Sequence, residues 1–214
     1  MHCPLYIATS NKGKLKEIAE LALEYFGSAF ANPIGRAAKV ADETESSFVG
    51  NCQIKALALM NEILKEGLPV FAILADDSGL SVDLLEGRPG VHSARYAGDH
   101  ASSDANVEKL LQELANHPSG KTLDKRNAHY SCAITLIVHT PTRRFQWNAE
   151  GQCQGLIDFK ATGQGGFGYD PVFLVPEYQK TFGEIPFEIK NKISHRRRAF
   201  DKLKNEAGRF LWIA

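Results

Sequence analysis

Apolar residues recur along this chain with two rhythms, and the changes between them mark out its elements. Leu5-Tyr6-Ile7-Ala8-Thr9 reads as a short opening strand. From Lys14 to Tyr25 the apolar positions Leu15, Ile18, Leu21 and Ala22 share one helical face, and Gly27 is a natural stop. Ser46 or Ser47 can cap a second helix to about Lys65, with Phe48, Cys52, Ala56, Leu59, Met60 and Ile63 inward. Gly67-Leu68-Pro69 ends it. The apolar run to Leu74 that follows suits a buried strand, with a turn expected at Ala75-Asp76-Asp77-Ser78-Gly79-Leu80. Ser103 or Asp104 can cap a third helix carrying Val107, Leu110, Leu111 and Leu114, closed by His117–Gly120. Residues 128–140 and 143–149 read as an antiparallel pair turning at Pro141-Thr142, and 171–175 as a further strand. A last helix is expected from His195 to about Asn205, with Phe200 and Leu203 inward.

Interleaved helices and strands predict an α/β fold, and the antiparallel pair predicts a mixed sheet. The chain has 214 residues, enough for one domain made of two lobes. The only linker candidate, 120–127, is too short to separate independent domains. Lys+Arg and Asp+Glu balance at 25 each, so no overall field favours a nucleic-acid polymer or a membrane surface. No apolar stretch approaches the roughly 20 residues of a membrane helix. The first residues, Met1-His2-Cys3-Pro4-Leu5, lack a signal-like core, so a cytoplasmic location is expected. The cysteines Cys3, Cys52, Cys132 and Cys153 are scattered without a CxxC pair, which argues against structural zinc and a disulfide framework.

Four segments carry candidate chemistry. Asp76 and Asp77 follow a buried run, where carboxylates are costly unless something positive meets them. A divalent cation would supply that; a solvated or capping turn is the equally weighted alternative. Thr9-Ser10-Asn11-Lys12-Gly13-Lys14 joins a strand to a helix start, where free N–H groups and lysines attract phosphate, although the Walker A spacing is absent and capping alone explains many such turns. Asp42-Glu43-Thr44-Glu45 places acids before the second helix, favourable for dipole reasons alone. If one of them converged on the aspartates, the oxygen set would suit Mg²⁺. In Gly163-Gln164-Gly165-Gly166-Phe167-Gly168-Tyr169-Asp170, glycines permit close backbone approach and the aromatics can stack on a base; a bend between lobes is the plainer reading. Lys190 with Ser194-His195-Arg196-Arg197-Arg198 can contact phosphate or a carbonyl-bearing base, whereas Arg197 and Arg198 read as a solvated face.

In this order and spacing the segments resemble the inosine/xanthosine triphosphate pyrophosphatases, which hydrolyse non-standard purine triphosphates. The matching residues are Thr9–Lys14, Glu43-Thr44 with Phe48 and Asn51, Ala75–Leu80, Gly90 with Ser93-Ala94-Arg95-Tyr96, Gly163–Phe173, and Lys190 with Ser194-His195-Arg196. The resemblance implies a two-lobed α/β fold with an elongated mixed sheet, a nucleotide cleft between lobes, Mg²⁺ as cofactor and a homodimer. It implies cleavage of ITP, dITP and XTP between the α and β phosphates. Asp77 would then be the base that activates water and a metal ligand, with Glu43 a second ligand and Asp76 a further metal or water-positioning carboxylate. Thr9, Ser10, Asn11, Lys12, Gly13, Lys14 and Lys190 would hold phosphates, and Ser78 would contact substrate beside the metal. Phe167 would stack on the base, Gly168, Tyr169 and Asp170 would shape its pocket, and His195 and Arg196 would read its edge. Gly50 departs from the resemblance, standing where an acidic residue is common, and Arg197 and Arg198 where a small residue is common.

Arginine offers only donors, which suit a 6-oxo purine and oppose the 6-amino group of adenine. Two other classes compete. A non-catalytic nucleotide sensor would use the same binding groups but has little need of the two aspartates. A phosphatase with an aspartyl nucleophile would want DxDx[TV] spacing, and here the aspartates are adjacent.

Overall fold

The computed structural model describes residues 3–27, 33–37 and 44–211, with side chains to residue 207. The strands are β1 (Leu5–Ala8), β2 (Ile34–Gly35), β3 (Phe71–Val82), β4 (Asn127–His139), β5 (Arg144–Ile157), β6 (Phe173–Val175) and β7 (Lys180–Thr181). The helices are α1 (Lys12–Phe26), α2 (Phe48–Lys65), α3 (Ser103–Asn116), α4 (Phe187–Ile193) and α5 (His195–Leu211). The strands are ordered β2-β1-β3-β4-β5-β6-β7. β1 pairs parallel with β2 and β3, while β6 pairs antiparallel with β5 and β7, so the sheet is mixed as predicted.

The chain divides into two compact units. The first runs to Asp77 and also takes Cys132–Gly151 and the chain from Arg196 onward; the second takes Ser78–Ser131 and Gln152–His195. None of these four crossings falls in the 120–127 segment that the sequence offers as a linker. That segment lies within the second unit and holds a 3₁₀ turn over Leu123–Lys125.

In the first unit the sheet is buried on both faces. On one face Leu5, Ile7, Ala72, Leu74 and Ile134 pack with Ile18 and Leu21 of α1 and Phe200 and Leu203 of α5. On the other, Ala8, Phe71, Ile73 and Ala75 pack with Cys52, Ala56, Leu59 and Ile63 of α2. Successive residues of a strand point to opposite faces. Ala72 and Leu74 therefore set the parity of Asp76, and Phe71, Ile73 and Ala75 that of Asp77. The second unit has its own core, in which Leu110 and Leu114 of α3 meet Leu80, Val82, Tyr130, Val172, Phe173 and Phe182.

Differences from the sequence expectations have local causes. α1 begins at Lys12 because the Asn11 side chain accepts the Lys14 N–H at 3.0 Å, the N-cap bond that draws the preceding residues into the helix. α3 is capped by Ser102 rather than Ser103 or Asp104. The expected turn at the aspartates is instead the middle of β3, buried along almost its whole length. A strand continues through two carboxylates there because lysine and arginine side chains meet them. β5 extends to Ile157, well past the expected end. No helix among the described residues is long and apolar enough to cross a membrane.

Candidate active site

The parallel register of β1 on β3 pairs Ala8 with Ala75, so the chain leaves β1 beside the aspartates. The loop it enters is internally tied: the Asn11 N–H donates to Thr9 Oγ1 at 3.1 Å while Asn11 caps α1. Ser10, Asn11 and Lys12 are exposed, and Gly13 begins the helix with Lys12. Lys14, in the first turn, reaches back so that its Nζ lies 2.9 Å from Asp76 Oδ1.

Asp76 is buried on the face of α1 and α5. Arg196 Nε donates to Asp76 Oδ2 at 3.2 Å, and Arg196 also bonds Glu17 Oε2 at 2.7 Å. The Cys132 thiol donates to Asp76 Oδ2 at 3.4 Å. Burial alone would raise the Asp76 carboxyl pKa; the charges of Lys14, Arg196 and Lys55 outweigh it and hold the group far below the usual carboxylate range. Burial, with the Asp76 charge adding to it, pushes the Cys132 thiol well up, so it stays a donor.

Asp77 faces the other way, toward α2, where Lys55 Nζ donates to its Oδ1 at 2.8 Å. Ser78 follows as the half-buried residue of an otherwise buried strand. Glu43, expected as a metal ligand, lies outside the described residues. The segment after it is anchored: Asn51 accepts the Glu45 N–H at 2.9 Å and returns a bond to the Glu45 carbonyl at 3.1 Å. A Cβ on Gly50 would meet Glu45 Cβ and Cγ at 2.7 Å, so the glycine makes room for this segment.

The second unit holds the remaining expected residues. Asp170, 2 % exposed, accepts the Phe167 N–H at 2.8 Å and the Lys190 ammonium at 2.5 Å through Oδ2. Lys190 Nζ lies 4.9 Å from the centroid of the half-buried Phe167 ring, within cation–π range. Its neighbours thus include an aromatic ring and a carboxylate. The Tyr169 hydroxyl donates to the Ser93 carbonyl at 2.9 Å, and Ser93 Oγ accepts the Leu80 N–H at 2.9 Å. Ser93 therefore ties the glycine loop to the strand leaving the aspartates. Gly168 takes a left-handed φ of 62° in that loop. Gly166 has φ +73° and would bring a Cβ 2.0 Å from Asp170 Oδ2. Gly166→Ala is therefore expected to displace the Phe167 loop and destabilise the protein by about 1–3 kcal/mol, read by a thermal melt; an unchanged melt refutes this.

The consecutive residues His195 and Arg196 part company. His195 is buried in the second unit, its ring 4.7 Å from Tyr130 and stacked at 12°. Arg196 is buried in the first, held by Asp76 and Glu17. Arg197 bonds Glu24 at 2.8 Å and lies 4.8 Å from the Tyr25 ring, so it clamps α5 to α1, whereas Arg198 is exposed.

The Ham1 family model matches residues 5–206. The chain belongs to the Ham1 family. Among Ham1 relatives, the dITP/XTP pyrophosphatase of Clostridium tetani is 41% identical over 201 residues, covering 94% of each chain. That of Desulforamulus reducens is 44% identical over 200 residues, covering 92% of each. The solved Ham1 protein of Coxiella burnetii superposes with a TM-score of 0.76 at 32% identity, over 97% of this chain and 99% of that one. The Staphylococcus aureus Ham1 structure gives 0.73 at 33% identity, over 96% and 98%. The match takes in every segment from Thr9 to Arg196 on which the resemblance was drawn.

Sequence reading passed over Lys55, Glu17 and Tyr130. The signal for Glu17 was available: it stands three residues after Lys14 and beside Ile18 on the buried stripe of α1. A charged residue on an apolar stripe calls for a partner. Lys55 stands four residues after the buried Asn51, one turn along the same side of α2. Tyr130 had no such mark, since an aromatic in a strand reads as core.

Proposed function

We propose that this chain is a nucleoside triphosphate pyrophosphohydrolase acting on the non-standard purine nucleotides dITP, ITP and XTP. What carries the reading is the arrangement on β3, where one helix-start lysine and two buried aspartates adjoin the polar loop that opens α1, in a chain matched almost end to end by dITP/XTP pyrophosphatases. Water adds across the α–β anhydride, giving the nucleoside monophosphate and pyrophosphate.

Thr9, Ser10, Asn11, Lys12, Gly13 and Lys14 are assigned to the phosphates, through backbone N–H groups and the two lysines. Asp77 takes the proton of the attacking water, and Lys55 holds its carboxylate in place. Ser78, next in the strand, contacts substrate beside it. Asp76 is assigned to organising Lys14 and Arg196, because both its oxygens already face cations. Phe167 stacks on the base, with Gly168, Tyr169 and Asp170 building the loop that holds it. Lys190, read from the sequence as a phosphate contact, is reassigned to the base because it sits against Phe167 and Asp170. His195 reads the base edge. Arg196 is assigned to the same edge only as the charge that fixes the start of α5.

Among the described residues no three His, Cys, Asp or Glu side chains converge to hold a metal by themselves. Asp77 nevertheless suits Mg²⁺, a hard cation that leans on few protein carboxylates and completes its shell with substrate phosphates, and Glu43 is assigned as a second ligand from the resemblance alone. Bound there, it would neutralise phosphate charge and lower the pKa of a bound water. A homodimer and a cytoplasmic location belong to the same reading.

Purified protein given dITP and Mg²⁺ should release one pyrophosphate for each monophosphate formed, and a chelator should stop it. Release of orthophosphate alone, or tight binding without turnover across several metals, would sink the reading. Sedimentation of the purified chain at a monomer mass would remove the dimer.

A further inference from the structure

Tyr130 lies on β4, is 7% exposed, and has no part in the assignments above. Its ring stacks on His195 with centroids 4.7 Å apart at 12°. Its hydroxyl donates to Asp170 Oδ1 at 3.3 Å. The other oxygen of that carboxylate takes the Phe167 N–H and the Lys190 ammonium. Behind the ring, Phe173 packs at 4.7 Å and 51°, which blocks its rotation. One buried side chain therefore touches both His195, assigned to the base edge, and Asp170, which holds the Phe167 backbone.

We propose that Tyr130 is a positioning residue for base selection, holding the imidazole of His195 and the Phe167 loop at a fixed spacing. The proposal rests on the pyrophosphohydrolase reading of the same residues. Its physical basis is that the face-on contact sets the plane of the imidazole while the hydroxyl bonds the carboxylate, so one rigid side chain spans both. Only a residue with both a ring and a hydroxyl registers the two against each other. Discrimination between purines that differ by one exocyclic group depends on such registry, because a misplaced donor leaves a buried polar group unpaired.

Two variants separate the contributions. Tyr130→Phe keeps the stack and removes one donor from Asp170; Tyr130→Leu removes both. In Tyr130→Phe the ratio of kcat/KM for dITP over dGTP should fall about three- to tenfold, the worth of a net hydrogen bond, through KM with kcat held within about twofold. Tyr130→Leu should lower the ratio further. The carbon-bound ring protons of His195 should resonate upfield in the wild type and in Tyr130→Phe, under the ring current, and return downfield in Tyr130→Leu. An unchanged substrate ratio in both variants, or His195 protons that are not upfield in the wild type, overturns the proposal. A wild type that discriminates while both variants keep its ratio removes this proposal alone; a wild type that releases no pyrophosphate from any purine triphosphate removes the pyrophosphohydrolase reading and this proposal together.

Discussion

Asp77→Asn is expected to lower pyrophosphate release from dITP by about 10²–10⁴-fold, the range attached to losing a general base. The asparagine is nearly isosteric and still accepts a hydrogen bond from Lys55, now 2.8 Å from the carboxylate. The backbone of β3 has no reason to move, because Ala75 and Leu80 stay buried whatever the side chain at 77. The variant should therefore fold, and its loss should fall on kcat more than on KM. The measurement is a steady-state pyrophosphate assay beside a thermal melt. Residual kcat within tenfold of wild type would remove Asp77 from the role of base. Lys55→Met gives a companion reading: it leaves a buried carboxylate without this ammonium, so it should affect stability as well as rate.

The second large effect concerns stability. Asp76→Ala is expected to destabilise the protein by about 3–5 kcal/mol, the usual result of removing one member of a buried ion-pair set, since it takes a carboxylate from Lys14 and leaves Arg196 to Glu17 and its other contacts. The Asp76 side chain is 1% exposed, and Lys14 and Arg196 both point at it. The loss should also depend on pH. The folded carboxyl titrates below its ordinary value of 3.8 because three cations outweigh the desolvation that opposes them. A group depressed in the folded state adds stability that is complete above its unfolded pKa and disappears as pH falls toward the folded one. Denaturant midpoints of the wild type should therefore hold from neutral pH down to about pH 5 and fall below it, more steeply than those of Asp76→Asn. Parallel acid limbs for the two proteins would show that Asp76 is not the group responsible.

The helices were readable because their apolar stripes are regular, and the caps of α2 and α3, Ser47 and Ser102, lie at or within one residue of an expected Ser. The mixed sheet was readable from the short turn at Pro141-Thr142 and the interleaving of helices. Three features were not. The first is the continuation of β3 through Asp76-Asp77, since two acids read as a turn unless their partners are known, and Lys14, Lys55 and Arg196 are remote in sequence. The second is the exchange of the chain between units at four points; a crossing inside a regular strand leaves no mark of composition. The third is the division of labour inside the His195-Arg196 pair. Adjacent motif residues invite a shared role, but the chain passes from one unit to the other between them. Among the site residues, Asp76, Asp77, Asp170 and Lys190 were found as motif members, whereas their partners Glu17, Lys55 and Tyr130 stand on helices and strands whose patterns signal packing only.

The opposed facing of Asp76 and Asp77 makes the length of β3 an inherited constraint. Removing or adding one residue between Phe71 and Ala75 would exchange the two faces, handing Asp77 to Lys14 and Arg196 and turning Asp76 toward Lys55. Composition would be almost unchanged and both ion-pair sets still formally available, yet the residue proposed as base and the one proposed to organise Lys14 and Arg196 would trade places. Variation in chain length is thus free to collect in the Gly67-Leu68-Pro69 turn before the strand, and the stretch from Phe71 to Ala75 can exchange one apolar residue for another but not change in count.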